Sequence, residues 1–127
     1  MSQTLTIDIP AVQWQSSNQR LHHMVRARRT RHVRTLAGLL GRQHLTPEPG
    51  PVHVTAFIAS PTNRKADVGN SYPTVKACVD GALTDARIIP DDSDQHLIGP
   101  DMRRDPATKT PGLYRVRLVI TPQNHDF

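Results

Sequence analysis

Hydrophobic and polar residues alternate in three separate stretches of the chain. Leu5, Ile7 and Ile9 alternate within Thr4 to Ile9, ahead of Pro10; Val52, Val54, Ala56 and Ile58 alternate further on; Tyr114, Val116, Leu118 and Ile120 alternate with Arg115, Arg117 and Val119 near the end. A period of two places every second side chain on one face, so these stretches predict half-buried strands. Between the first two the period lengthens: Val33, Leu36, Ala37 and Leu40 recur at helical spacing with arginines on the remaining faces, which predicts an amphipathic basic helix from about His22 to Gly41. A second helix opens at Pro73, where a missing N–H costs nothing, carries Val75, Val79, Ala82 and Leu83 as its apolar stripe, and ends near Ala86.

The remaining segments read as connections. Gln13 to Arg20 is a polar loop around Trp14, a core anchor, and Thr46 to Pro51, rich in proline, is a stiff connector. Arg87 to Pro90 is a short extended piece, Gln95 to Ile98 a short strand, and Met102 to Gly112 a polar loop. Strands and helices interleave without a strict βα repeat. The expected fold is therefore α+β (mixed α/β): a small mixed sheet of about four strands with two main helices packed on it. A length of 127 residues suits one domain spanning 1–127.

Charge changes this picture more than composition does. The formal net charge is +5, and its distribution is uneven. Between Ile9 and Pro47 there is no acid, while Arg20, Arg26, Arg28, Arg29, Arg31, Arg34 and Arg42 fall there with four histidines; eight of the eleven acids lie between Asp67 and Asp105. A one-signed helix beside an acidic half suits a polyanion-binding surface next to a metal site; a solvated arginine-rich helix face is the plain alternative. The single cysteine, Cys78, allows no intrachain disulfide and fits a reducing, intracellular setting. The apolar runs fall short of the ~20 residues of a membrane-spanning helix, and no signal-peptide pattern precedes them, so no membrane partner is expected. With no Gly-x-Ser-x-Gly elbow and no phosphate-cradling glycine loop, neither acyl transfer nor a nucleotide cofactor is expected.

The chemistry concentrates between Arg64 and Asp94. Arg64 and Lys65 precede Asp67 and Asn70, a helix carries Lys76 and Asp80, and Asp91, Asp92 and Asp94 form an acidic turn, with His96 close by. Hard carboxylate oxygens, with one cysteine, too few for a zinc cage, and no helical histidine pair, suit Mg²⁺, with Mn²⁺ as substitute. Such ions activate water and clamp a phosphodiester, and Lys76 would stabilise the charge that develops there. Taken on spacing alone, Lys76 and Asp80 are also an ordinary exposed i,i+4 pair of about 0.3–0.5 kcal/mol, and the acidic turn is also an ordinary solvated turn.

The segment resembles the RusA family of Holliday junction resolvases, in an actinobacterial or phage-type branch. Arg64-Lys65-Ala66-Asp67-Val68-Gly69-Asn70 is similar to the family's basic Asp-x-Asp-Asn motif, Lys76-Ala-Cys-Val-Asp-Gly-Ala-Leu83 to its helix, Ile89-Pro90-Asp91-Asp92 to its Asp-Asp turn, and Trp14 to Arg20 to its Ser-x-Asn-x-Arg region. The resemblance implies a homodimeric, Mg²⁺-dependent endodeoxyribonuclease of the cytoplasm that cuts four-way junctions in DNA recombination and repair. It makes Asp67 and Asp92 metal-binding carboxylates, Lys76 the catalytic lysine, Asp91 a neighbour or alternate ligand, and Asn70 a supporting residue. Arg20, Arg26, Arg28, Arg29, Arg31, Arg34, Arg64 and Lys65 would contact DNA phosphates. Two departures stand out. Gly69 replaces the second Asp of the Asp-x-Asp motif, and three residues are inserted between Asn70 and Lys76. Asp80 is the candidate for the missing ligand. The competing expectation is a catalytically impaired junction-binding protein of the same fold, followed by a plain basic nucleic-acid-binding module.

Overall fold

The computed structural model describes residues 1–63 and 67–123. Four strands, β1 (Gln3–Pro10), β2 (Val52–Ala59), β3 (Leu97–Arg104) and β4 (Leu113–Pro122), form one sheet in the order β1-β4-β2-β3. β4 runs antiparallel to both β1 and β2, and β3 runs parallel to β2. Helix α1 (His23–His44) links β1 to β2, and helix α2 (Tyr72–Val79) lies in the crossover from β2 to β3, the kind of connection a parallel pair requires. This is the mixed four-stranded, two-helix α+β architecture that the alternation predicted.

The two faces of the sheet follow from the period of two. Leu5, Ile7 and Ile9 of β1, Val52, Val54 and Ala56 of β2 and Val116, Leu118 and Ile120 of β4 are all buried. They pack against Val33 and Ala37 of α1 and Val75, Cys78 and Val79 of α2 in a single core cluster. Among the described residues, the opposite face carries no helix and is largely polar. Arg115 pairs there with Asp8 (2.6 Å), Arg117 holds Asp105 (3.0 Å) and lies 4.1 Å above the Phe57 ring, and His53 shares a hydrogen bond with Asp101 (2.7 Å).

Each helix departs from the sequence reading in an informative way. α1 runs past Gly41 to His44, and the His22 ring accepts the Met24 N–H to cap its start. Gly41 is no helix stop: a Cβ there would lie 3.0 Å from backbone atoms of Ala82, so the residue is small because another backbone passes close by. Gly81 stands in the same relation to the Arg34 backbone. α2 begins with Pro73 in its first turn, as expected, but from Asp80 to Asp85 the chain widens into a π-helical turn. Ala86 N–H reaches back to Gly81 O (3.1 Å) and Ile88 N–H to Leu83 O (2.8 Å), both five residues earlier.

Two stretches differ from the reading. Arg87 to Pro90 is a turn rather than an extended piece, with Arg87 at φ 60° and the Ile88 and Ile89 N–H groups both turned onto Leu83 O. Strand β3 extends well beyond Ile98 and takes in Met102 to Arg104, which the sequence assigned to a polar loop. Trp14 is indeed a core anchor, 5% exposed and stacked on Tyr114 at 4.3 Å.

Candidate active site

The turn that carries Asp67 is built locally. The Asp67 carboxylate accepts the Gly69 N–H (2.9 Å) and its carbonyl accepts the Asn70 N–H (3.1 Å), closing a short 3₁₀ turn, Val68–Ser71, that feeds directly into α2. A side chain at position 69 would press on this carboxylate, since a Cβ there would lie 3.2 Å from Asp67 Oδ1. Asn70 contributes through its backbone, whose carbonyl takes the Ser17 N–H at 2.8 Å. The Trp14 to Arg20 loop is thus docked on the Asp67 turn. Thr74 reinforces the docking, its hydroxyl accepting the Gln15 N–H and donating to the Gln15 carbonyl, both at 2.8 Å.

Asp67 faces two adjoining cavities. One, of about 360 Å³, is lined by Asp67 with Ser60, Thr62, Asn63, Ser71, Arg104 and Asp105. The other, of about 540 Å³, lies between Asp67, Asn70 and the Ser16–Gln19 loop. Asp105 is a carboxylate that sequence reasoning passed over. It follows β3 with no motif around it, and only the fold brings it to the Asp67 cavity.

Lys76 and Asp80 belong to a second group. Lys76 Nζ lies 3.3 Å from Asp80 Oδ2 and 3.4 Å from Oδ1, and Arg34 Nη1 lies 4.0 Å from the same carboxylate. Arg34 is in turn held by Asp85, through Nε to Oδ2 at 2.5 Å and Nη2 to Oδ1 at 2.9 Å. This guanidinium holds the Asp85 carboxyl below the usual carboxylate range. Asp92 lies within electrostatic reach of Arg34. Asp91 accepts the Ser93 N–H (2.9 Å), and the hydrogen bonds from Ser93 lower its pKa, with the nearby His96 adding to the effect. His96 Nε2 is 3.9 Å from Asp91, so this histidine does sit beside the acidic turn.

Asp80, the candidate for the ligand lost at Gly69, has its carboxylate paired with Lys76 and flanked by Arg34. Arg34, counted among the phosphate contacts, has a carboxylate partner of its own. Arg29 donates to the Trp14 carbonyl (2.9 Å), which anchors the loop and leaves its charge unneutralised. Arg20, Arg26, Arg28 and Arg31 are exposed and have no carboxylate partner among the described residues. Arg64 and Lys65 lie outside the described residues.

Asp67, Asp91, Asp92 and Asp80, the expected ligands, are not gathered into one donor group among the described residues. Among the described residues, no group of three or more His, Cys, Asp or Glu side chains is placed to hold a metal, and no ion pair or hydrogen bond joins Asp67 to the Lys76–Asp80 group. No helix among them is long and apolar enough to cross a membrane. No protein-family model matches the chain, and no curated protein matches it in sequence.

Proposed function

We propose that this protein is a RusA-like endodeoxyribonuclease that binds four-way DNA junctions as a homodimer and hydrolyses phosphodiesters with Mg²⁺. One observation carries the reading. Helix α1, with its unpaired arginines, packs directly on the α2 region through the close backbone approaches at Gly41 and Gly81, so a polyanion lying along α1 is brought to the neighbourhood of Lys76. The arginines supply phosphate contacts that position the duplex without reading its sequence.

Asp67 and Asp92 are the residues that would hold the ion. Both are exposed, and neither has an ion-pair partner among the described residues. A bound Mg²⁺ would supply an activated water and neutralise charge on the scissile phosphate. Two carboxylates leave most of the coordination shell to water and DNA, which suits an ion that sheds its waters reluctantly. A homodimer matches the near two-fold symmetry of a junction, one protomer for each of two opposed cuts, and the cytoplasm is where such a substrate is met.

The absence of a three-carboxylate group among the described residues, with Gly69 in the motif, favours a second reading: a junction-binding protein of the same fold with weakened metal binding. An end-labelled four-way junction incubated with the protein in Mg²⁺, Mn²⁺ or EDTA, beside Asp67→Asn and Asp92→Asn, separates the two. Paired, metal-dependent nicks abolished by both substitutions support the nuclease. A retarded junction that is never nicked supports the binding protein.

A further inference from the structure

The π-helical turn after α2 has an electrostatic consequence. Residues five apart on an α-helix point about 140° away from each other, because each residue turns the chain by about 100°. A turn closed by i→i+5 hydrogen bonds brings them back to nearly the same side. Asp80 and Asp85 are five apart and bracket this turn. Both carboxylates meet Arg34: Asp85 engages Nε and Nη2, and the remaining nitrogen, Nη1, is turned toward Asp80. A planar guanidinium offers two carboxylates donors in fixed directions, a rigid fork that a lysine ammonium on a flexible stem lacks.

The frame around the network is rigid. Gly81, next to Asp80, lies against the Arg34 carbonyl so closely that a Cβ would be 3.0 Å from the carbonyl carbon. The backbones of Arg34 and Asp80 are therefore fixed relative to each other by direct contact. The Asp80 side chain is only 15% exposed, whereas that of Lys76 is 50% exposed. The less exposed member is held by the crossing, and the solvated lysine pairs with it.

We infer that Asp80 is a positioning residue for Lys76, and that Arg34, clamped by Asp85, keeps the Asp80 carboxylate aimed at the lysine. This inference rests on the nuclease reading for the role of Lys76, and it moves Arg34 from the DNA-contacting set to the positioning set. A free lysine chain samples many rotamers; pairing at Nζ biases the ammonium toward the side on which Asp80 lies, and misplacement of a catalytic group by about 1 Å costs on the order of 100-fold.

The test uses single-turnover cleavage of a four-way junction by wild type, Asp80→Asn, Arg34→Gln, Lys76→Gln and the double variant Asp80→Asn/Lys76→Gln, with junction affinity and thermal midpoint measured on each. Asp80→Asn is expected to slow cleavage on the order of 10- to 100-fold at nearly unchanged junction affinity, with Arg34→Gln slowing it in the same direction. Asp80→Asn is expected to add nothing once Lys76 is gone, a non-additivity that a merely structural role would not produce. Wild-type cleavage by Asp80→Asn, or additive losses in the double variant, overturns the assignment. If wild type itself does not cleave, the nuclease reading fails, and ¹³Cε relaxation of lysine decides whether the tether exists: increased Lys76 motion in both Asp80→Asn and Arg34→Gln, with Lys109 as internal reference, supports it, and unchanged Lys76 relaxation overturns it.

Discussion

Gly41→Ala tests the close helix crossing directly. A Cβ at this position would lie 3.0 Å from both the Cα and the carbonyl carbon of Ala82, and closer still to its oxygen. All three atoms are backbone, so no rotamer change relieves the contact and the helices must move apart. Forcing a methyl group into a well-packed contact costs about 1–3 kcal/mol, and an unyielding backbone places this case toward the upper end. Replacing a helical glycine by alanine returns about 1 kcal/mol. The expected net effect is a destabilisation of about 1–2 kcal/mol, from those two opposing terms. Gly38→Ala is the matched control on the same helix: its tightest contact would be Gly81 O at 3.3 Å, with Arg42 Nη2 and the Gly81 carbonyl carbon at 3.8 Å, a few tenths of an ångström from comfort, so helix propensity prevails and the variant should be neutral or slightly more stable. Gly50→Ala has no neighbour within 4 Å and should change stability by no more than about 0.5 kcal/mol. Urea unfolding followed by far-ultraviolet circular dichroism, analysed with a shared slope, measures all three. If Gly41→Ala proves as stable as Gly38→Ala, the argument from backbone contact is wrong.

Other expected outcomes follow from separate parts of the molecule. Trp14→Ala removes a ring that is 5% exposed and stacked on Tyr114, and should cost about 3–5 kcal/mol in urea unfolding. Burial pushes the Cys78 thiol up, so a thiol reagent at pH 8 should label the unfolded protein and leave the native one unmodified on the same timescale. The Asp85 carboxyl is depressed in the folded state by Arg34; its contribution is therefore present above the unfolded carboxylate pKa of about 3.9 and lost as pH falls through the folded value. The difference in urea midpoint between wild type and Asp85→Asn should be flat near neutrality and close in acid. If α1 lies on phosphates, Arg28→Ala and Arg31→Ala should each lower the slope of log affinity against log salt by about 1 on duplex or junction DNA alike; an unchanged slope would remove that face from the interface.

The strands that read clearly in the sequence are those with one face on the core. In β1, β2 and β4, every second residue is buried, and alternation alone finds them. β3 is an edge strand interrupted by Gly99 at φ 97° and Pro100, with a register shift against β2 between His53 and Thr55. Its later residues, Asp101, Arg103 and Arg104, are largely solvated. No residue of β3 is fully buried, so the period-two signal ends where the strand continues. Gly41 was misleading for a related reason: a glycine required by a neighbouring backbone looks the same in one dimension as a glycine that ends a helix. The carboxylates divide in the same way. Asp67, Lys76 and Asp80 were legible because they lie on or next to one helix. The tie of Asp80 and Asp85 to Arg34 depends on a π-helical turn, which has no compositional signature, and Asp105 reaches the Asp67 cavity only through sheet topology.

The bare face of the sheet has a bearing on how the molecule meets a charged object. Asp8 with Arg115 and Asp105 with Arg117 are ion-paired there, Asp101 is hydrogen-bonded to His53, and Arg103 at the edge has no carboxylate partner among the described residues. Paired charges produce fields that fade within a short distance, whereas the unpaired arginines on α1 produce one that persists over about a Debye length, roughly 8–10 Å at ordinary ionic strength. The long-range field is thus lopsided. A polyanion drifting past exerts a torque that turns α1 toward it before contact, so fewer collisions are wasted on the wrong side, and this orienting advantage fades as salt rises.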